Sequence, residues 1–83
     1  MEEIVEKLYQ IFVLRANIDF KKNKELQTEA LLGKRIELPA RELMLICMDI
    51  EKEFKIRITE QDIILGKLKT FREIYLLISK YIN

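Results

Sequence analysis

Histidine and tryptophan are absent from this sequence of 83 residues, and only one cysteine and one serine are present. Without histidine and with a single thiol, a zinc site of cysteine and histidine ligands is excluded, as are Cys–His and Ser–His nucleophile pairs. Cys47 alone forms no internal disulfide, which makes a reducing cytoplasm the expected compartment. Every carboxylate has a lysine or arginine nearby, as in a solvated helix surface. We therefore expect neither an enzyme nor a metal or other cofactor.

Residues that break helices are also scarce, because the chain has two glycines and one proline. Hydrophobic residues make up 49% and charged residues 35%, which favours one all-α domain over residues 1–83. The longest wholly apolar run, residues 43–48, is far shorter than the ~20 residues of a membrane span. The acidic residues after Met1 do not fit a secretory signal. The net charge of +1 gives no global field toward nucleic acid or membranes.

Apolar residues recur at helical spacing in three long segments, and this pattern predicts main helices near 2–15, 39–54 and 70–82. The last of these opens on a predicted capping box, in which Thr70 and Glu73 each satisfy a backbone N–H of the other. Side chains on the inner faces of the second and last helices should pack together in the core. We expect the following to be mutually buried: Ile46, Ile50, Phe54, Phe71, Ile74 and Ile78.

Two shorter helical segments are predicted between the main helices. A short helix near 60–65 is expected because Thr59 is a good N-cap and Gly66 a good terminator. Residues 26–32 are expected to form a helical turn that Gly33 ends in the C′ position that glycine prefers. The long connection between the first two main helices must cross the bundle. We expect it to be held by the apolar side chains Phe20, Leu26, Leu31 and Ile36.

The predicted second helix is apolar on two of its faces. Pro39 favours its start, because the fixed φ suits a first turn and the missing N–H would have no partner there. At about 100° per residue, the predicted core face consists of Leu43, Ile46, Cys47, Ile50 and Phe54. The outward face, which is the candidate partner-binding site, consists of Arg41, Met44, Leu45, Met48 and Lys52. Two interpretations of its apolar members are open: they either pack under the long loop or form a docking surface.

The order of these segments resembles the acyl carrier protein family. Residues 50–59, IEKEFKIRIT, are similar to the end of the family's second helix, where an acidic "LEEEF" leads to an "I-P" or "I-T" turn. Thr70-Phe71, followed by Ile74 and later by Tyr81-Ile82, is similar to the "T-V-…-YI" fourth helix of that family. The resemblance covers roughly residues 38–82. It implies an acyl-carrier-like four-helix bundle, with three main helices, one short helix and a long first loop.

The sequence departs from this family at the residue that carries its chemistry. Carrier proteins attach a phosphopantetheine arm to a serine, in an Asp-Ser-Leu motif, at the start of the second helix. Counting back from Phe54 without gaps places Ala40 at the serine position, whereas matching Leu32-Gly33 to the family's Leu-Gly places Ile36 there. Neither residue has the hydroxyl that the phosphodiester needs. The chain therefore resembles the serine-less acyl-carrier-related proteins of bacterial gene clusters that mature ribosomally made peptides.

Three functional hypotheses remain. The favoured one is a non-catalytic interaction protein that docks through its second helix to a biosynthetic or peptide-maturation enzyme, or to a precursor peptide. The second is an acyl or peptidyl carrier with an unconventional attachment site. The third, a small DNA-binding helical domain, would need a basic recognition helix and a clearly positive charge balance. We expect a cytoplasmic monomer that binds a protein and neither nucleic acid nor membrane.

Overall fold

Five helical segments follow one another in the computed structural model, which describes residues 2–82. They are α1 (Glu2–Ala16), a 3₁₀ helix (Lys24–Thr28), α2 (Ala40–Phe54), α3 (Glu60–Ile64) and α4 (Phe71–Ile82). No strand occurs among these residues, although a single antiparallel bridge joins Ala30 to Thr70. Over the same range, every helix is too short or too polar to cross a lipid bilayer. The prediction of an all-α chain is confirmed.

The main helices begin and end within about one residue of the predicted boundaries, and capping explains the differences. Pro39 is the N-cap of α2 rather than part of its first turn, and its carbonyl accepts the first helical bond at 3.1 Å. Thr70 likewise precedes α4, where its hydroxyl accepts the Glu73 N–H at 3.0 Å, which is half of the predicted box. A full capping box opens α3, because Thr59 and Asp62 each accept the other's backbone N–H.

The predicted helical turn over residues 26–32 is wrong. The segment forms the 3₁₀ helix instead, and this ends before Gly33 is reached. Gly33 does not adopt the left-handed conformation of a helix terminator. It lies against Ala30, and a Cβ added to it would come within 3.1 Å of the alanine Cβ. Glycine fits here because residues 30–33 form a tight turn, closed by a hydrogen bond from the Gly33 N–H to the Ala30 carbonyl at 3.0 Å.

Leu31 ties the long connection to the rest of the molecule. Its N–H donates to a carbonyl of the α3–α4 loop at 2.9 Å, and its own carbonyl accepts the Leu38 N–H at 2.9 Å. The side-chain amide of Gln27 donates to the Phe20 carbonyl within the connection at 3.0 Å and to the Tyr9 hydroxyl of α1 at 3.4 Å. The side chains that pack this connection onto the core include the four predicted ones: Phe20, Leu26, Leu31 and Ile36.

A cluster of aromatic rings forms the centre of the core. Phe20 stacks on Phe71 with ring centroids 4.6 Å apart, and Phe12 meets these two rings edge-on at 5.0 and 5.5 Å. Tyr9 also stacks on Phe71, at 5.4 Å. Aromatic pairs in such geometries stabilise a fold by about 0.5–1.5 kcal/mol beyond their burial. The cluster therefore joins α1, the long connection and α4.

Burial of the predicted core is confirmed for most residues and wrong for a few. Fully buried, as predicted, are Ile46, Ile50, Phe71, Ile74 and Ile78. Phe54 is only half-buried, because it is the last residue of α2 and the chain turns away at that point. Leu43 and Cys47 are also half-buried, since they lie on the flank of α2 that faces the short α3. A five-residue helix with no buried residue of its own cannot cover that flank.

Candidate functional site

An open apolar groove of about 350 Å³ separates α2 from α3. The groove lies on the flank of α2 that α3 leaves uncovered. Of the described residues that line it, only Glu51 carries a charge. The main apolar contributors are Leu43, Met44, Cys47 and Met48 from α2, Ile63 from α3, and Leu68 from the following loop.

Met44 and Met48 form the solvent-facing edge of this groove, and 65% and 49% of their surfaces are exposed. The prediction that both point away from the core is confirmed, and the long loop does not bury them. Leu45 differs, because it is half-buried rather than outward. It lies about 100° round the helix from Met44, toward the side on which Asp49 contacts α1. Leu45 is therefore not part of the groove.

The two basic residues of the predicted binding set are exposed beside the methionines. Arg41 precedes Met44 by three residues and Lys52 follows Met48 by four, and side chains at these spacings are neighbours on a helix surface. Within residues 2–82, neither basic side chain forms a salt bridge. Neither of them lines the groove itself, and Lys52 lines a separate cleft between α1 and α2, together with Asp49. The two charges therefore lie beside the methionines at the outer edge of the groove and not within it.

Two acidic side chains of α2 are paired with α1 on the opposite flank. Arg15 donates two hydrogen bonds to the Asp49 carboxylate, at 2.8 and 3.0 Å. These bonds hold the pKa of Asp49 below its usual value. Lys7 and Glu53 form a second ion pair at 3.3 Å. Exposed pairs of this kind contribute little to stability, about 0–1 kcal/mol. Each pair nevertheless balances an acidic side chain of α2 with a basic side chain of α1.

Glu51 connects α2 to the loop that leads into α3. Its carboxylate accepts the backbone N–H of Ile58 at 2.9 Å. Burial raises the pKa of the neighbouring Cys47 thiol to about 11, and the negative charge of Glu51 contributes to the same shift. The thiol is therefore protonated at neutral pH. This agrees with the interpretation of Cys47 as a small apolar side chain and not as a nucleophile.

The two candidate positions of a carrier serine lie in different surroundings. Ala40 is the exposed first residue of α2 and borders the groove, whereas Ile36 is half-buried in the long connection. The one serine of the chain, Ser79, is buried in α4 and donates its hydroxyl to the Tyr75 carbonyl at 2.9 Å. Neither the start of α2 nor the alternative position therefore offers a hydroxyl for attachment.

Ile63 lines the groove from the α3 side, and its role could have been inferred from the sequence but was not. A signal was present in the run Ile63-Ile64-Leu65, because three consecutive apolar residues in a short helix cannot all face the core. All three are exposed. Only the first of them lines the groove, while the other two line a separate cleft between the long connection and the start of α4.

Comparison of the chain with protein-family models, with curated proteins and with solved structures finds no match. Across the described part of the chain, no group of three or more cysteine, aspartate or glutamate side chains is placed to hold a metal ion. The groove between α2 and α3 is therefore assigned as the candidate site on its geometry.

Proposed function

We propose that this chain is a non-catalytic interaction protein with an acyl-carrier-like four-helix bundle, which docks through α2 to a biosynthetic or peptide-maturation enzyme. The observation that carries this proposal is the exposed pair Met44 and Met48 on the edge of an uncovered apolar groove. Grouped exposed apolar side chains are typical of binding surfaces. Methionine suits such a surface, because its flexible and polarizable side chain adapts to irregular partners.

The arrangement of the helices supports the carrier-like part of the proposal. A long first helix, a long crossing connection, an uninterrupted second helix, a short third helix and a capped fourth helix follow in the order that the resemblance implies. Ala40 lies at the start of α2, where a carrier would bear its serine. The chain would thus retain the docking helix of a carrier while lacking the residue that holds the phosphopantetheine arm.

The docking role is tested by titrating the protein against each protein encoded beside its gene. In isothermal titration calorimetry, Met44→Ala/Met48→Ala should weaken the interaction by more than about tenfold, because a few apolar residues dominate most interfaces. The matched control is Leu14→Ala/Leu76→Ala, which also truncates two exposed apolar side chains, but on α1 and α4. Equal affinities of the two variants would contradict docking through α2, provided that circular dichroism shows both folded.

The absence of an attached arm is tested separately by mass spectrometry. The protein is co-expressed with a broad-specificity phosphopantetheinyl transferase, and its intact mass is then measured. We expect an unchanged mass, because no hydroxyl is present at Ala40 or Ile36. A mass increase equal to the arm would contradict the proposal and favour a carrier with an unconventional attachment site.

A further inference from the structure

The basic side chains of α2 form no ion pair among residues 2–82, whereas three of its four acidic side chains bind other parts of the fold. Its four acidic side chains are Glu42, Asp49, Glu51 and Glu53. Asp49 and Glu53 are paired with α1, and the carboxylate of Glu51 holds the loop before α3. The Glu42 side chain forms no ion pair or hydrogen bond among residues 2–82, although after Asp49, the main cause, its charge contributes to raising the pKa of Arg15 on α1. Most of the acidic charge of α2 is thus bound to neighbours within the fold.

The basic side chains of the same helix are not bound to neighbours within the fold. Arg41 and Lys52 are exposed, and neither is paired with a carboxylate among residues 2–82. Both flank the two methionines on the helix surface. A partner that lies along this edge of the groove therefore meets positive charge next to apolar surface.

The shape and lining of the groove favour a helix as the bound element. Addition of a partner strand needs an exposed sheet edge, and residues 2–82 contain no strand. Proline-rich segments bind to grooves lined with aromatic rings, and none lines this groove. Aliphatic and methionine side chains between two helices are the surroundings in which an amphipathic helix packs.

We infer that the groove binds an amphipathic helix of the partner protein, with its apolar stripe in the groove and acidic side chains along the edge formed by Arg41 and Lys52. This inference rests on the docking role proposed above and specifies the chemistry of the partner. Ile63 supplies the contact from the α3 side, since it is 58% exposed and lines the groove. Charge complementarity of this kind sets specificity and the association rate more than the final affinity.

Two synthetic peptides of about 15 residues test the charge preference, because a helix of that length matches α2. Both carry the same stripe of leucines at helical spacing, flanked by glutamates in one peptide and by lysines in the other. Binding is followed through the NMR signals of the methionine and isoleucine methyl groups. We expect the acidic peptide to bind about tenfold more tightly at low salt and to shift the methyl signals of Met44, Met48 and Ile63. The preference should shrink at high salt, since ions screen exposed charges.

Two variant pairs locate the contacts. Ile63→Ala should weaken binding of the acidic peptide about fivefold or more, since the removed side chain lines the groove. Its matched control, Ile64→Ala, removes the same side chain from the adjacent position, which is 69% exposed but lies outside the groove, and should leave binding unchanged. Arg41→Glu/Lys52→Glu should abolish the preference for the acidic peptide.

Three results would overturn the inference. These are equal or tighter binding of the lysine peptide, equal effects of the two isoleucine variants, and self-association through the groove without any peptide. Failure of the docking role gives a different pattern. If an encoded enzyme binds through Met44 and Met48 but the peptides show no charge preference, the docking role stands and the inference falls. If the acidic peptide binds as expected while no encoded protein does, the docking role falls and the groove chemistry stands.

Discussion

At the scale of single residues, two phenylalanines of the core differ in how completely the fold encloses them. Phe71 is 1% exposed and its ring contacts those of Tyr9, Phe12 and Phe20. Phe54 packs against the edge of the core and is half-buried at the end of α2. The two side chains are identical, so a comparison of their alanine variants isolates the effect of burial.

We expect Phe71→Ala to lower the free energy of unfolding by about 3–5 kcal/mol, because it removes a buried ring and leaves a cavity. Phe54→Ala should cost about 1–2 kcal/mol, since part of its ring is already in water and full burial of such a side chain contributes only about 1.5–3 kcal/mol. Urea denaturation at 25 °C measures both values. A loss for Phe54→Ala as large as that for Phe71→Ala would show that the end of α2 is enclosed.

Helical periodicity predicts the direction in which a side chain points, but not whether a neighbouring element buries it. It correctly places Ile46 and Ile50 inward and Met48 outward, because these directions follow from the helix alone. Leu43 and Cys47 are only half-buried, and their environment depends on the length of the neighbouring helix. A sequence pattern within α2 has no information about that length. The groove was therefore predicted only along its outer edge.

At the scale of elements, the capping box determines where α3 begins. Hydrogen bonds from the Thr59 backbone and the Tyr81 hydroxyl to the Asp62 carboxylate hold the pKa of Asp62 below its usual value. A carboxylate with a lowered pKa in the folded state stabilises the protein above its unfolded-state pKa of about 4. This contribution is lost as the pH falls through the lower pKa of the folded state.

We therefore expect Asp62→Asn to be less stable than the original protein at pH 7, by less than about 1 kcal/mol because the carboxylate is largely exposed. The difference should shrink as the pH falls below about 4. Glu60→Gln is the control, because it removes an exposed carboxylate from the same helix. Within residues 2–82, this carboxylate accepts no hydrogen bond. Chemical denaturation at a series of pH values measures both. A difference that does not depend on pH would assign the effect to side-chain shape rather than charge.

Local sequence signals account for the helix starts better than for the loops. Thr59 with Asp62 forms a box that can be predicted from the sequence alone, because both partners lie within one turn. The role of Gly33 could not be predicted, since glycine serves equally at a helix end and at a close approach. Only the contact between Gly33 and Ala30, which the structure shows, distinguishes these two roles. Lys55 ends α2 in a left-handed conformation, for which its sequence gives no signal.

At the scale of the whole molecule, a net charge close to zero does not mean that every surface is neutral. The net charge of +1 predicts no strong field, and on that basis we expect neither nucleic acid nor a membrane as the partner. Pairing within the fold nevertheless leaves positive charge beside the groove and neutralises the flank that faces α1. Which charges are paired depends on how α1 packs against α2. Composition alone therefore could not locate the positive edge.

The position of α3 between two left-handed residues has a consequence for local stability. Lys55 and Gly66, with φ values of 55° and 77°, bracket the helix together with its flanking loops. No residue of α3 is buried, and hydrogen bonds attach it through Asp62 to Tyr81 and through the preceding Ile58 to Glu51. Such a segment can open without disturbing the aromatic cluster, because little apolar surface holds it in place.

In native-state hydrogen exchange, we therefore expect the amides of residues 60–64 to be protected far less than those at the centres of α1 and α4. Protection of α3 equal to that of the aromatic cluster would contradict this, because it would mean that the helix opens only on global unfolding. If α3 is as weakly protected as we expect, the wall of the groove that carries Ile63 opens before the centres of α1 and α4. A bound helix would slow exchange there most, so the exchange rate of α3 reports occupancy of the groove.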